Sequence, residues 1–486
     1  MRLIRTAAVV VAFLVSCAAP AQTQPTAKPS AQRHELQVGT RPWKGDLEAM
    51  KKRRIIRALV PYSKTFYYVE NARPRGFSYD VFTAFEEDLN KKLKTKTLKM
   101  RVLFFPVGRD ELIAYLVEGK GDVVFADLTV TPERQNLVDF SAPMYTGISE
   151  IVVTGPSGPQ IGSVDDLSGK EVYIRKATSY YEHVQELNQR LAAAGKPPVA
   201  VREAPEELEA EDILEMVNAG IVGATIIDRY KAVMWARVFG NLQLHNDAAL
   251  HTDAQNAFMI RKDSPQLKAA LDAFAKSHGQ GTMFGNSAVK RYVKDPRFVK
   301  NALGDDERRR FGATLELFRK YGERYDIDYL LVMAQGFQES GLDQNAKSAV
   351  GAIGVMQVMP ATGRDLKVGD ITQIDANIHA GVKYVRFMID QYFKNEPMTP
   401  LNKGLFAFAA YNCGPGRVAS LRREAARRGL DPNRWFNNVE IIAADKIGSE
   451  TVTYVSNIYK YYTAYKLLIA QDDERRKARE VVKKPN

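Results

Sequence analysis

Two cysteines, Cys17 and Cys413, stand among 486 residues, which excludes a disulfide-built scaffold. Histidine is scarce too. The six present, among them His183, His278 and His379, show no paired spacing, and no HExxH occurs, so neither a metal site nor a cofactor is expected. RNP-like, zinc-finger and helix-turn-helix signatures are missing, which argues against nucleic acid as a partner. Near the N-terminus the apolar run from Ala7 to Val15 is too short to span a bilayer in the usual way.

What is present is the composition of globular protein, 45% hydrophobic and 26% charged, in a chain too long for one core. The net charge of +12 is concentrated in places such as "KKRR" at Lys51 to Arg54 and "ERRKAREVVKK" near the end. Such clusters suit a solvated surface or attraction to an anionic polymer or lipid.

"MRLIRTAAVVVAFLVSCAAPAQ" places Arg2 and Arg5 before the short apolar run and small residues after it, the pattern of a secretory leader. "LVSC" at Leu14 to Cys17 resembles a bacterial lipobox, which implies lipid on Cys17 and leaves Cys413 without a partner. "APA" at Ala19 to Ala21 is the alternative cleavage site, giving a soluble periplasmic protein. Lipid on Cys17 would supply the several hydrocarbon tails that stable anchoring needs. Ala18, rather than aspartate, after Cys17 favours the periplasmic face of the outer membrane.

Five segments are expected: a leader with lipobox over 1–17, a proline-bearing tether over 18–50, an α/β domain over 51–290, a helical domain over 300–470, and a charged tail over 471–486. In the α/β part, strand-like runs such as "RIIRALVPY", "LKMRVLFFPV", "EIVVTG", "EVYIRK" and "GATIID" alternate with helical ones. "SYDVFTAFEEDLNKKLK" puts Val81, Phe82 and Phe85 on one face. That alternation predicts mainly parallel sheets. After Lys300 the stretches are helical.

Within the α/β domain, Arg134 offers a planar fork for a carboxylate, Thr129 a hydroxyl beside it, and Asp228 an acceptor for an ammonium group. The segment "GDVVFADLTVTPERQNLVDFSAPMY" from Gly121 to Tyr145, with "GFSYDVF" and "GATIIDRYKAV", resembles the amino-acid-binding type of periplasmic solute-binding proteins. The resemblance implies two lobes closing on a ligand, with Asp127, Leu128 and Thr129 as contacts from the first lobe and Ala177, Thr178 and Ser179 of "KATSYY" from the second. The first-lobe segment "YSKTFYYVENARPRGF" departs from that family's usual entry, so Tyr62, Phe66 and Tyr67 are placed to stack on something other than a plain amino acid.

In the helical domain, "AQGFQESGLD" reads as the last turns of an apolar helix ending on Glu339, Ser340 and Gly341. A carboxyl at the negative end of a helix keeps its proton more readily. Phe337, Met356 and Met359 are the apolar neighbours expected to reinforce that. "QESGLDQNAKSAVGAIGVMQVMPATG", "NIHAGVKYV", "AAYNCGPGRV" and "SETVTYV" follow in an order similar to lytic transglycosylases of the soluble-transglycosylase, goose-lysozyme-like superfamily. Val355 before "MQ" and Cys413 in "AYNCGPG" are departures of similar size.

This resemblance implies an all-α lysozyme-like fold acting on peptidoglycan. Glu339 is the acid that protonates the glycosidic oxygen and then the base that helps the 6-hydroxyl of the muramoyl sugar attack its own C1, giving a 1,6-anhydro end. Ser340, Met356, Gln357, Tyr411 and Asn412 are the expected glycan contacts; Tyr454 is expected beside the Glu339 carboxyl, and Glu450 as an orienting residue. Asp343 and Glu450 are weak candidates for the second carboxylate that most glycosidases use. The two domains in this order resemble F-type membrane-bound lytic transglycosylases. A muropeptide or amino-acid ligand is expected in the first domain, because Arg134 and Asp228 suit zwitterionic ends and such an enzyme would release related fragments. A glycan-gripping protein that does not cut, and a hydrolase that uses water, are the competing readings.

Overall fold

The computed structural model describes residues 42–285, apart from 64, 71–72 and 96–97, and residues 305–482. The leader with Cys17 and most of the tether lie outside the described residues. Helix α1 (Leu47–Arg53) begins the first lobe, capped by the Asp46 side chain accepting from Leu47 N–H. Strand β1 (Ile55–Val60) follows, then the hairpin of β2 (Tyr68–Glu70) and β3 (Arg73–Arg75), helix α2 (Phe77–Lys92) and strand β4 (Arg101–Pro106). Val81, Phe82 and Phe85 of α2 are buried against the sheet, as their spacing predicts. Helix α3 (Leu112–Glu118), β5 (Val123–Val124), α4 (Pro132–Leu137) and β6 (Asp139–Phe140) complete this stretch.

The chain leaves the first lobe on the long strand β7 (Tyr145–Thr154) and builds the second lobe from β8 (Glu171–Arg175), α5 (Ser179–Ala193), β9 (Ala200–Ala204), α6 (Ala210–Asn218), β10 (Ala224–Asp228) and α7 (Arg229–Trp235). It returns on β11 (Gln243–Asn256), continues through β12 (Met259–Ile260), and closes with α8 (Pro265–His278). Only β1 with β4, β1 with β5, and β8 with β9 pair in parallel among these sheets. The expectation of mainly parallel sheets is corrected here. β7 pairs antiparallel with β10 and β11, from Thr154 against Gln243 at one end to Tyr145 against Asn256 at the other. A two-lobed domain whose chain crosses out and back on neighbouring strands must pair those strands antiparallel.

The second domain is helical: α9 (Asp305–Arg324), α10 (Tyr329–Ser340), α11 (Pro360–Leu366), α12 (Ile374–Met388), α13 (Pro400–Cys413), α14 (Pro415–Arg427), α15 (Glu440–Ile447) and α16 (Ser449–Val482). Helix α10 is buried from Leu330 to Phe337 and packs mainly against α9 and α16. The charged segment expected as a separate tail from 471 continues α16 to Val482.

The two domains touch. Lys460 on α16 is buried against Glu215 on α6, with Nζ 2.6 Å from Oε2, and Gln471 Nε2 donates to Ile221 O at 2.7 Å. One continuous apolar core joins the second lobe to the helical domain.

Candidate active site and ligand cleft

Helix α10 starts where the Asp328 side chain accepts from Leu330 N–H, and it stops where Gly341 adopts φ 68°, a left-handed conformation that glycine takes without strain. Between these signals the chain has twelve helical residues, and Glu339 falls in the final turn. Burial raises its carboxyl to about 7, opposed by a hydrogen bond that Tyr454 Oη donates to Oε1. That hydroxyl is the one hydrogen-bond partner of the Glu339 carboxyl among the described residues. Near neutral pH the group is therefore divided between acid and base forms, as a catalyst that must both give and take a proton requires.

Tyr454 lies on α16, and its geometry involves a residue that the sequence pattern did not single out. Gln335, one turn before Glu339 on α10, is fully buried, and its Nε2 donates to Tyr454 Oη at 3.2 Å. With that lone pair engaged, the phenol directs its one proton at Glu339. The signal was legible: Gln335 interrupts the apolar run "YLLVMA" at i−4 from the acid, the same helix face.

Of the other expected glycan contacts, the structure brings Tyr411 and Met356 to the acid's side of the domain. Tyr411 Oη donates to Met356 O at 2.8 Å, and burial first, then the Glu339 charge, raises its phenol far above the ordinary value. Met356 is fully buried, filled in beside Gly336 and Gly381. Phe337 is buried as expected, whereas Met359 is 41% exposed and sits at the N-cap of α11. Ser340 Oγ donates to Val355 O at 2.9 Å and accepts from Asp343 N–H, so it ties the helix end to the following loop. Gln357, at φ 46°, donates to Gly354 O at 2.9 Å. Gly354 itself has φ 76°, and a Cβ there would stand 2.5 Å from Asn377 Nδ2.

Asn412 is exposed at the end of α13, its Oδ1 accepting from Thr451 Oγ1 at 2.6 Å, and Glu450 is exposed in the first turn of α16. Asp343 accepts from Asn345 N–H in its turn. Neither Asp343 nor Glu450 bonds to Glu339.

The two lobes of the first domain meet directly. Tyr230 Oη donates to Asp127 Oδ1 at 2.6 Å, Arg109 reaches Glu209 at 3.1 Å, and Ser179 Oγ lies 3.2 Å from Thr129 Oγ1. Between them is a cavity of about 730 Å³ walled by Phe66, Phe77 and Phe125 from the first lobe and Tyr230, Met234 and Trp235 from the second.

Of the expected ligand contacts, Asp127 lines this cavity, and Leu128 is buried in the first lobe's core instead. Arg134 is buried, donating to Thr129 O and Ala177 O and lying 3.3 Å from Glu182. Thr178 Oγ1 donates to Arg175 O, and Ser179 Oγ donates to buried Glu150 at 2.7 Å. Asp228 faces Lys231, at 2.9 Å, and the same ammonium group bridges to Asp127. Burial raises the Asp228 carboxyl to about 6, whereas for Asp127 burial is outweighed by Lys231 and the net shift is downward.

Among the three aromatic residues singled out in the entry segment, Phe66 lines the cavity, Tyr67 stacks on Phe104, and Tyr62 packs against the helical domain near Glu440. Lys231, three residues after Asp228, was missed, although a cation at i+3 from a predicted ligand carboxylate is a readable signal.

Residues 316–432 match the family model of the transglycosylase SLT domain, and residues 56–283 that of bacterial extracellular solute-binding proteins, family 3. The chain is 28% identical to a membrane-bound lytic murein transglycosylase F of Desulfosudis oleivorans, covering 82% of this chain and 87% of that protein. It is 27% identical to one of Ectopseudomonas mendocina, covering 87% of each. A solved amino acid transporter substrate-binding protein of Streptococcus pneumoniae, bound to L-arginine, is 21% identical with a TM-score of 0.42, covering 51% of this chain and 100% of that one. With a solute-binding domain followed by an SLT domain, and with such relatives matching most of its length, the chain is a peptidoglycan lytic transglycosylase similar to the membrane-bound lytic murein transglycosylases F.

Proposed function

We propose that this peptidoglycan lytic transglycosylase cleaves the β-1,4 bond between N-acetylmuramic acid and N-acetylglucosamine, leaves 1,6-anhydromuramoyl ends, and is tuned by a cell-wall ligand in its first domain. The observation that carries the chemistry is Glu339: a half-buried acid, raised to about 7, whose single hydrogen-bonding partner among the described residues is a phenol and not a second carboxyl. Glu339 protonates the glycosidic oxygen and the C1–O bond breaks, with the substrate's own N-acetyl oxygen stabilising C1. The resulting carboxylate removes the proton of the 6-hydroxyl as that oxygen bonds to C1. Glu339 is returned to its acid form, and no water is consumed.

Ser340, Met356, Gln357, Tyr411 and Asn412 are proposed to line the glycan path, with Glu450 at its rim. Digestion of murein in water labelled with heavy oxygen tests the route. Unlabelled anhydro ends support it, and labelled reducing ends would favour hydrolysis.

For the regulation, the supporting feature is α16, which carries Tyr454 and, under two turns later, Lys460 docked on α6 of the second lobe. A ligand that favours one lobe arrangement shifts the position of α16, and with it the phenol on Glu339. It acts only through a difference in affinity for the two arrangements; couplings of this kind are commonly about 1–3 kcal/mol. Asp127, Thr129, Arg134, Thr178, Ser179 and Asp228 are proposed to serve lobe closure around that ligand. Anchoring through Cys17 at the periplasmic face of the outer membrane completes the proposal. No helix among the described residues is long and apolar enough to cross a membrane.

A further inference from the structure

Where the chain crosses between the lobes, β7 and β11 pair beside a buried cluster built on two histidines that the glycan chemistry does not use. Glu150 on β7 is fully buried, with Asp228 of β10 opposite it on one side and His251 of β11 on the other. Helix α5 binds both oxygens of its carboxyl. Ser179 Oγ donates to Oε1 at 2.7 Å, and His183 Nδ1 lies 2.6 Å from Oε2. The ring of His251 is stacked on that of His183, with centroids 4.1 Å apart and planes 5° from parallel. On β7 the register of β11 shifts between Ala249 and His251 and again before Ala254, the kind of irregularity at which a strand bends.

One buried carboxylate can hold one imidazolium well, and a second in the same stack meets like charge at close range. For His183, burial opposes the charged form, but the hydrogen bond and charge of Glu150 outweigh it and the net shift is upward. For His251, burial and then the His183 charge lower the imidazole below its ordinary value, against Glu150, Glu186 on α5 and Asp253 on β11. Glu182, also on α5, is engaged by Arg134 at 3.3 Å. Helix α5 begins at Ser179, whose Oγ lies 3.2 Å from Thr129 Oγ1 of the first lobe. A shift of α5 away from β11 therefore acts directly on a contact between the lobes.

We propose that the stacked His183–His251 pair is a pH-sensitive latch at the hinge, holding the lobes closed while one ring is charged and releasing α5 from β11 when both are. His251 sits below its ordinary value of about 6.5 in the closed arrangement and regains it once α5 moves off. Closure is thus fully favoured above about pH 6.5 and is lost as pH falls below it. The latch depends on the two-lobed build of the first domain and not on what its cleft binds.

Energy transfer between dyes on the two lobes tests it, in the full mature chain carrying Cys413→Ala, with labels at Lys91→Cys on α2 and Ala193→Cys on α5, both exposed positions. The ratio of open to closed molecules is expected to rise at least twofold from about pH 7.5 to about pH 5. His251→Phe keeps a ring in the stack and cannot take a proton, so its ratio is expected to stay level across that range. Should His251→Phe fail to fold, His251→Gln is expected to behave the same way. Asp228, raised to about 6, is the other group beside the hinge that takes up a proton in this range, and its effect would persist in both variants. A wild type whose lobes do not respond to pH, lobes that close on acidification, or a response undiminished when His251 is replaced would each overturn the proposal.

Discussion

Replacing Tyr454 with phenylalanine removes one hydroxyl and leaves the ring packed on α16. In the wild type that hydroxyl donates to Glu339 while burial raises the carboxyl to about 7. A hydrogen bond to a charged acceptor contributes about 1.5–3 kcal/mol, and one to a neutral acceptor about 0.5–1.5 kcal/mol. The hydroxyl therefore favours the carboxylate over the acid by about 1–1.5 kcal/mol. At about 1.36 kcal/mol per pH unit, its loss moves the Glu339 titration up by close to one unit. In the proposed mechanism the acid form is needed for the first step, so kcat/KM of the wild type is expected to fall above pH about 7, and that limb to move toward pH 8 in Tyr454→Phe. Turnover at pH 6 is expected to drop, because the base formed in the first step is no longer oriented. A pH profile of soluble muropeptide release measures both. An alkaline limb that stays in place or moves down would refute the reasoning.

Glu339 keeps its proton to about pH 7 in the folded chain and to 4.5 in the unfolded one, so the fold loses stability as pH rises through that interval. The difference amounts to roughly 3 kcal/mol. Glu339→Gln is expected to melt higher than the wild type at pH 8 and alongside it at pH 4.5, as differential scanning calorimetry would show. Lys460→Met leaves Glu215 buried without its cation, which typically costs about 3–5 kcal/mol. Its melting deficit is expected at pH 7 and should be largely restored by adding Glu215→Leu, with no restoration telling against the docking role. Gln335→Leu frees the Tyr454 phenol to turn from Glu339. Its alkaline limb is expected to rise by less than in Tyr454→Phe, and the double variant to match Tyr454→Phe alone.

Local signals made some parts of this molecule readable. Asp328, the run through Phe337 and Gly341 specify α10 within a few residues of sequence, so Glu339's place in a last helical turn could be read directly. Val81, Phe82 and Phe85 gave the buried face of α2 in the same way. The hinge sheet was not readable, since β7 finds its partner β11 about a hundred residues later and antiparallel pairing leaves no mark in either strand's own pattern. Likewise Lys460 lies in "YKYYTAYK", where a lysine reads as a solvated surface group; only docking of α16 on α6 reveals it as buried. At the cleft, residue types pointed to charge pairing, but which cation meets Asp228 depended on the lobes meeting, and the chain's own Lys231 takes that position.

In the proposed mechanism Glu339 alone supplies both the acid and the base of a cleavage that consumes no water. Mass spectrometry of purified murein incubated with the wild type and, in parallel, with Glu339→Gln tests it most directly. The wild type is expected to release 1,6-anhydromuropeptides and the variant none; reducing-end muropeptides from the wild type, or anhydro products undiminished in Glu339→Gln, would contradict that role.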